Sequence, residues 1–189
     1  MSDLGGRRIV LSAEPLVDGP TALRPWRDGD LPALARVGRD PDVTHWMGLP
    51  QQYRDTDARA YLMSRYDGLH VGLRAPYAIV ATDDGELLGS IALAHFAWED
   101  GRSEVGYWLA RAARGAGHAT RAVRLIAGWG FDTLGLERIE LQAAVDNPAS
   151  QRVAERAGFT REAVLRSRWT TYGGERHDMV CFGLLAGEL

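Results

Sequence analysis

The stretch from Glu104 to Val145 constrains the fold more than any other part of this 189-residue chain. It begins with a strand-like run, Glu104 to Leu109, and passes through a loop of small residues, Arg114-Gly115-Ala116-Gly117-His118-Ala119-Thr120. From about Thr120 the pattern turns helical, because Val123, Ile126, Ala127, Gly130, Phe131 and Leu134 fall on one face with Arg121 and Arg124 off it. Ile139, Leu141, Ala143 and Val145 then alternate with Glu140 and Gln142, the period of two of a half-buried strand. Strand, loop, amphipathic helix and strand in that order place the chain in the α/β class.

The flanking sequence supplies hairpins and further helices. Thr21–Arg24 reads as a strand, and Asp28–Val37 as a helix capped by Asp28 or Asp30 with Leu31, Leu34 and Ala35 as its apolar stripe. Residues 41–52 read as a loop, and Thr56–Tyr66 as a second helix with Ala60, Tyr61, Met63 and Ser64 around one side. Strands follow at Tyr77–Ala81, Leu87–Phe96 and Ser103–Leu109, joined by the turn signals Asp83-Asp84-Gly85 and Glu99-Asp100-Gly101. A short helix opens with Asn147 as N-cap and Pro148 at its first position, and ends at Gly158. Two last strands, 164–171 and 177–184, surround Gly173-Gly174. Residues 1–8 read as a loose tail, and residues 1–189 as a single domain with a mixed sheet.

Composition excludes several classes. With 46% apolar and 25% charged residues, the chain is an ordinary globule. Its net charge of −3 and the lack of a basic run argue against a nucleic-acid partner. A lone cysteine, Cys181, forbids an internal disulfide and is expected to be a buried structural residue. No apolar run reaches membrane-spanning length, so no membrane partner is expected, and Glu14 and Pro15 interrupt the Ile9–Leu11 run too early for a signal peptide. The expected location is the cytoplasm.

The glycine loop carries the chemistry. A small-residue loop entering a helix aims several backbone N–H groups at one spot, where the helix dipole adds positive potential for an anion such as pyrophosphate. The loop lacks the Lys-Ser/Thr ending of a triphosphate loop and the three-glycine dinucleotide pattern. Its Arg114-x-x-Gly117-x-Ala119 pattern resembles the coenzyme-A pyrophosphate loop of the GNAT superfamily of N-acetyltransferases. Leu23-Arg24-Pro25-Trp26 with Asp30, the Glu104–Leu109 run, Gly135–Leu141, Asn147–Val153 and Ala157-Gly158-Phe159 resemble the RimJ/RimL-type branch in order and spacing, as does Asp178 before an apolar strand. The resemblance covers residues 21–186, and it departs at Arg114-Gly115, where that branch often has an aromatic residue before the glycine. It implies the GNAT fold: a mixed, mostly antiparallel sheet flanked by helices. Two strands splay around the pantetheine arm, which would pair with the backbone near Leu109.

It also implies an acetyl-coenzyme-A-dependent N-acetyltransferase that uses no metal and acts by direct attack of a primary amine in a ternary complex. Such a transfer needs a neutral amine, a donor for the carbonyl oxygen and a proton or hydrogen bond for the departing thiolate. Glu104 is the candidate base, with ordered water as the alternative. The resemblance implies Ser150, or a tyrosine elsewhere, as the donor to the sulfur, although a serine in a first helical turn often only bonds backbone. Asn147 would meet the pantetheine amides, and its amide N–H₂ stays free even if its oxygen caps the helix.

Cofactor contacts are expected from Trp108, Leu109 and the loop residues Gly115, Ala116, Gly117, His118, Ala119 and Thr120. Arg111, Arg114 and Arg152 are the arginines expected at the phosphates. The histidines His45, His70, His95, His118 and His177 show no metal-ligand spacing. Trp26, Trp46, Tyr53, Trp98, Trp169 and Tyr172 are candidates for an acceptor cleft, or for the core. The acceptor is an amine, either a protein or peptide N-terminus or a small amine, and a homodimer is one option for assembly. The competing reading is a GNAT-fold module that binds an acyl-coenzyme A without turnover.

Overall fold

The computed structural model describes residues 8–47, 50, 52–171 and 173–189, so of the expected tail only Arg8 is included. The strands are β1 (Leu16–Asp18), β2 (Thr21–Arg24), β3 (Arg74–Ala81), β4 (Leu87–Ala97), β5 (Arg102–Leu109), β6 (Arg138–Ala144), β7 (Thr160–Thr170) and β8 (Arg176–Leu185). The helices are α1 (Leu31–Val37), α2 (Pro41–Met47), α3 (Asp55–His70), α4 (His118–Leu134) and α5 (Pro148–Ala157). All eight strands form one sheet in the order β1-β2-β3-β4-β5-β6-β8-β7.

Every neighbouring pair is antiparallel except β5 and β6, which the α4 crossover makes parallel. That pair is brief. Its register holds at Arg102↔Arg138, Ser103↔Ile139 and Glu104↔Glu140 and then ends, although β5 runs on to Leu109 and β6 to Ala144. Beyond Glu104 each strand stays paired only on its other side, β5 to β4 and β6 to β8. The sheet therefore opens into a wedge at its middle.

Side-chain alternation divides the core between the two faces. Tyr77 and Ile79 of β3 join one cluster with Val123, Ile126 and Ala127 of α4 and Phe182 of β8. Ala78 and Val80 of the same strand join the other, with Leu34 of α1, Val43 of α2, Leu62 of α3 and Trp108 of β5. Gly130 lets α4 sit close to the sheet, because a Cβ there would lie 2.9 Å from the Leu93 side chain and 3.2 Å from that of Ile139. Ile126 is fully buried, and truncating such a residue to alanine costs about 2–5 kcal/mol.

The structure corrects several local expectations. Residues 41–47 are helical, not loop, because Asp40 Oδ1 accepts the Asp42 N–H at 3.0 Å and Pro41 suits a first helical turn. Strand β1, absent from the sequence reading, pairs with β2 across Gly19 and Pro20. In α3 the buried side is Ala58, Tyr61 and Leu62, while Met63 is exposed, so the expected stripe of Ala60, Tyr61, Met63 and Ser64 was rotated. Asp30 makes no side-chain cap bond to α1, but it closes the capping box of the short helical turn Asp28–Asp30 that leads into that helix. Its carboxylate grips Arg24 at 2.8 and 2.7 Å and accepts the Arg27 N–H at 2.9 Å. Helix α4 starts at His118, earlier than expected, and Val145 lies exposed just past β6.

Candidate active site

The wedge between β5 and β6 is a cavity of about 780 Å³. The α4 entry loop, the start of α5, α2 and the ends of β5, β6, β7 and β8 all line it. At the loop end, Gly117 is the N-cap of α4 with φ 83° and ψ 2°, a left-handed conformation that suits glycine, and Gly115 shares the same φ. No side chain among the described residues caps this helix. The first N–H groups of α4, from His118, Ala119 and Thr120, have no carbonyl within the helix to bond, which makes a site of positive potential. Gly115, Gly117, His118 and Ala119 line the cavity, with Ala116 and Thr120 beside them in the chain.

The side chains of the loop turn to other tasks. Arg114 donates to Asp42 Oδ2 at 2.6 Å, to Asp40 Oδ2 at 2.9 Å and to the Leu109 carbonyl at 3.2 Å. The guanidinium expected at the phosphates thus ties the loop to the start of α2, and it also bonds the Leu109 carbonyl, next to which the pantetheine arm is expected to pair. Arg111 is exposed and lies off the cavity wall, whereas Arg152 and its neighbour Arg156 line it. His118 Nδ1 lies 2.8 Å from Thr21 Oγ1. Burial, with Arg121 adding to it, lowers the His118 pKa and favours a neutral ring.

In the middle of the cavity two groups of polar side chains face the wedge. The Tyr107 hydroxyl and Ser150 Oγ are 3.0 Å apart. Burial pushes the Tyr107 phenol up to about 12, against the opposite pull of the Ser150 hydrogen bond, so it is a protonated phenol at neutral pH. Asn147 caps α5 as expected, its Oδ1 accepting the Ser150 N–H at 3.1 Å. Glu104 Oε2 accepts from Gln142 Nε2 at 3.0 Å and lies 3.6 Å from His95 Nδ1. Glu104, Tyr107, Asn147 and Ser150 all line the one cavity.

Tyr107 is the functional candidate that the sequence reading passed over. Alternation placed it with Val105 and Leu109, on the side of β5 opposite Glu104. Where β5 parts from β6 that side also reaches the cavity, a consequence of sheet geometry that no local pattern encodes. Trp108 also lines the cavity, but its indole N–H donates to Tyr61 Oη at 2.9 Å, and Tyr61 donates to Ser90 Oγ at 3.0 Å within the core. Cys181 is half-buried rather than buried, and burial with nearby Glu140 and Glu104 keeps it a thiol by raising its pKa.

The other end of the cavity is aromatic. Trp46 of α2 and Trp169 of β7 stack with centroids 6.4 Å apart, beside Met47 and Met179. Trp26 and Tyr53 belong instead to the buried core. Trp98 stacks on Phe96 beyond the wedge, and Tyr172 lies outside the described residues. Next to the tryptophans, His45, Glu175 and His177 bring one ligand atom each within 4.8 Å of one another. No helix among the described residues is long and apolar enough to cross a membrane.

Comparison with known proteins matches this architecture. Residues 21–160 fit the family model described as acetyltransferase (GNAT) domain. The N-acetyltransferase p20 of Bacillus licheniformis, itself uncharacterized, is 29% identical over 175 residues, 93% of this chain and 98% of that protein. The ribosomal-protein-serine acetyltransferase of Escherichia coli (strain K12) is 31% identical over 83 residues, 44% of this chain and 46% of that protein. Among solved structures, Mycobacterium smegmatis RimJ in complex with CoA-disulfide is similar with a TM-score of 0.78 at 25% identity, covering 90% of this chain and 84% of that one.

Proposed function

The chain belongs to the acetyltransferase (GNAT) family, and from that premise we propose that it acts as one domain that moves an acetyl group from acetyl-coenzyme A directly to a primary amine in a ternary complex. One observation carries the reading. Glu104 and the Tyr107–Ser150 pair, a carboxylate and a protonated donor, line the same cavity as the uncapped N-terminus of α4. That uncapped end, with a glycine in left-handed conformation, fits a pyrophosphate.

When bound, acetyl-coenzyme A supplies the activated thioester, and the residues of this chain supply everything else. The N–H groups of the Gly115–Thr120 segment would hold the pyrophosphate, and Arg152 and Arg156 line the same cavity. Asn147 has committed its oxygen to Ser150, so its N–H₂ is left to meet an amide of the pantetheine arm. Tyr107 and Ser150 share one hydrogen bond, and the pair retains a second hydroxyl hydrogen for the departing sulfur. Because Tyr107 stays protonated at neutral pH, it is suited to that role. Glu104, oriented by Gln142, takes the proton of the attacking amine directly or through a water.

The acceptor we infer is an α-amino group in preference to a lysine side chain. Reaching the neutral form at pH 7 costs roughly 4.6 kcal/mol for a lysine and about 1–1.4 kcal/mol for an α-amine. The E. coli relative is named for acting on a ribosomal protein, which accords with a peptide N-terminus. The test is thiol release from acetyl-coenzyme A with a peptide carrying both a free N-terminus and a lysine, against its N-terminally blocked copy. Release stimulated by the free peptide alone is the expected result. Equal rates on both would make lysine the acceptor, and release that no amine stimulates would leave a binding module without turnover.

A further inference from the structure

We propose that His45, Glu175 and His177 form a binding site for a divalent first-row metal of the zinc class, pinning α2 to the β7–β8 hairpin beside the aromatic end of the cavity. The three residues come from α2, from the turn before β8 and from β8 itself, and one ligand atom from each lies within 4.8 Å of the others.

His177 is the centre of the argument. It is only 6% exposed, packed against Trp46, Trp169 and His45 with ring centroids 5.7, 5.5 and 5.8 Å away. Its Nδ1 lies 3.1 Å from Asp146 Oδ2, which fixes the tautomer with the proton on Nδ1. Nε2 is buried and has no hydrogen-bond partner among the described residues, and Glu175 Oε2 lies 3.6 Å from it. A buried ring nitrogen facing a carboxylate without a hydrogen bond calls for a partner between them.

A metal ion supplies that partner. Metal–ligand bonds near 2.0–2.2 Å in a tetrahedron set neighbouring ligand atoms about 3.4 Å apart, close to the Nε2–Oε2 separation already present. His45 and Glu175 are exposed, so small rotations bring both into place. The Asp146–His177 pair has the form of the carboxylate that orients a metal-bound imidazole. Two imidazoles and one carboxylate suit zinc and its neighbours in the first row rather than magnesium or calcium. A fourth position stays open for water. Occupancy would hold Trp46 and Trp169, which line the cavity, in fixed relation.

The test is calorimetric titration of Zn²⁺ into the untagged, chelator-treated full chain. The expected result is one ion per chain, with a dissociation constant that rises at least tenfold in His45→Ala and in Glu175→Gln. Both positions are exposed, and unchanged circular dichroism establishes that the variants fold. Asp146→Asn is expected to weaken binding about tenfold through the imidazole it orients. Nitrogen NMR of the His177 ring gives an independent readout, with the Nε2 resonance moving on zinc addition. No stoichiometric uptake, uptake indifferent to His45→Ala and Glu175→Gln, or a doubly protonated His177 ring that zinc leaves unchanged would each overturn the proposal. None of these readouts depends on acetyl transfer.

Discussion

At the loop end of the cavity one short continuous segment, from Gly115 to Ala119, borders the wedge, and it offers largely backbone. At the aromatic end α2, β7 and β8 contribute side chains, Trp46, Trp169 and Met179 among them. The first end needs particular backbone angles more than particular side chains. Its signature is a pair of glycines at φ 83° ahead of a helix, and even Arg114, the charged residue of the motif, is spent on Asp40 and Asp42. The second end needs particular side chains brought together from remote parts of the chain. Backbone recognition concentrates its requirements in one stretch of sequence, whereas side-chain recognition disperses them.

The largest expected effect falls where the two ends meet. Tyr107→Phe should lower kcat about a hundredfold, within the range for general acid catalysis, while the acetyl-coenzyme A KM changes little. If steady-state kinetics show KM rising in step, Tyr107 binds rather than reacts, and the loop end uses side chains after all. The raised pKa makes a further point on pH. The folded value of about 12 exceeds the ordinary 10.0, so Tyr107 contributes stability that is present below pH 10 and lost as pH rises toward 12. Alkaline melts should therefore show a smaller loss across that window in Tyr107→Phe.

Gly117→Trp comes next. A side chain at φ 83° is strained, and a Cβ there would meet Arg121 Nη1 at 2.8 Å. Disturbing one charge-assisted hydrogen bond, worth roughly 1.5–3 kcal/mol, weakens acetyl-coenzyme A binding at least tenfold by calorimetry. An unchanged dissociation constant would remove the pyrophosphate from this loop.

Glu104→Gln should slow transfer by about tenfold or less, most at pH below the pKa of the amine, where a base is needed. A pH–rate profile parallel to that of the parent would assign proton removal to water.

Arg114→Ala should have the smallest effect and sharpens the contrast most directly. Its ion pairs are partly exposed, so their loss costs about 0.5–1 kcal/mol of stability, a melting shift of roughly 1–4 °C. Cofactor affinity should fall less than in Gly117→Trp. A larger fall would mean that the guanidinium leaves Asp40 and Asp42 to meet phosphate.

The legible parts of the fold were those with local causes. The α4 stripe, the β6 alternation as far as Ala143, the Asn147 cap and the Gly158 stop are found where the sequence puts them, because each depends on neighbours within a few residues. Helix α2 was also local in origin, and Asp40 before Pro41 was its available signal. The α3 stripe was misplaced because its burial follows the packing of α1 and β3 against it rather than strong periodicity of its own.

The sequence by itself determined the α/β class, the strand–loop–helix unit and the glycine geometry at its centre, since hydrophobic period and left-handed φ are properties of single residues and their near neighbours. Tertiary structure alone decided that β5 and β6 part after Glu104, that Tyr107 meets Ser150 inside the resulting wedge, that Arg114 turns to α2, and that His45 comes to face His177. Those contacts join segments remote in sequence. Their cause is the packing of α4 and α2 on opposite faces of one sheet, a property of the whole chain that no window along it contains.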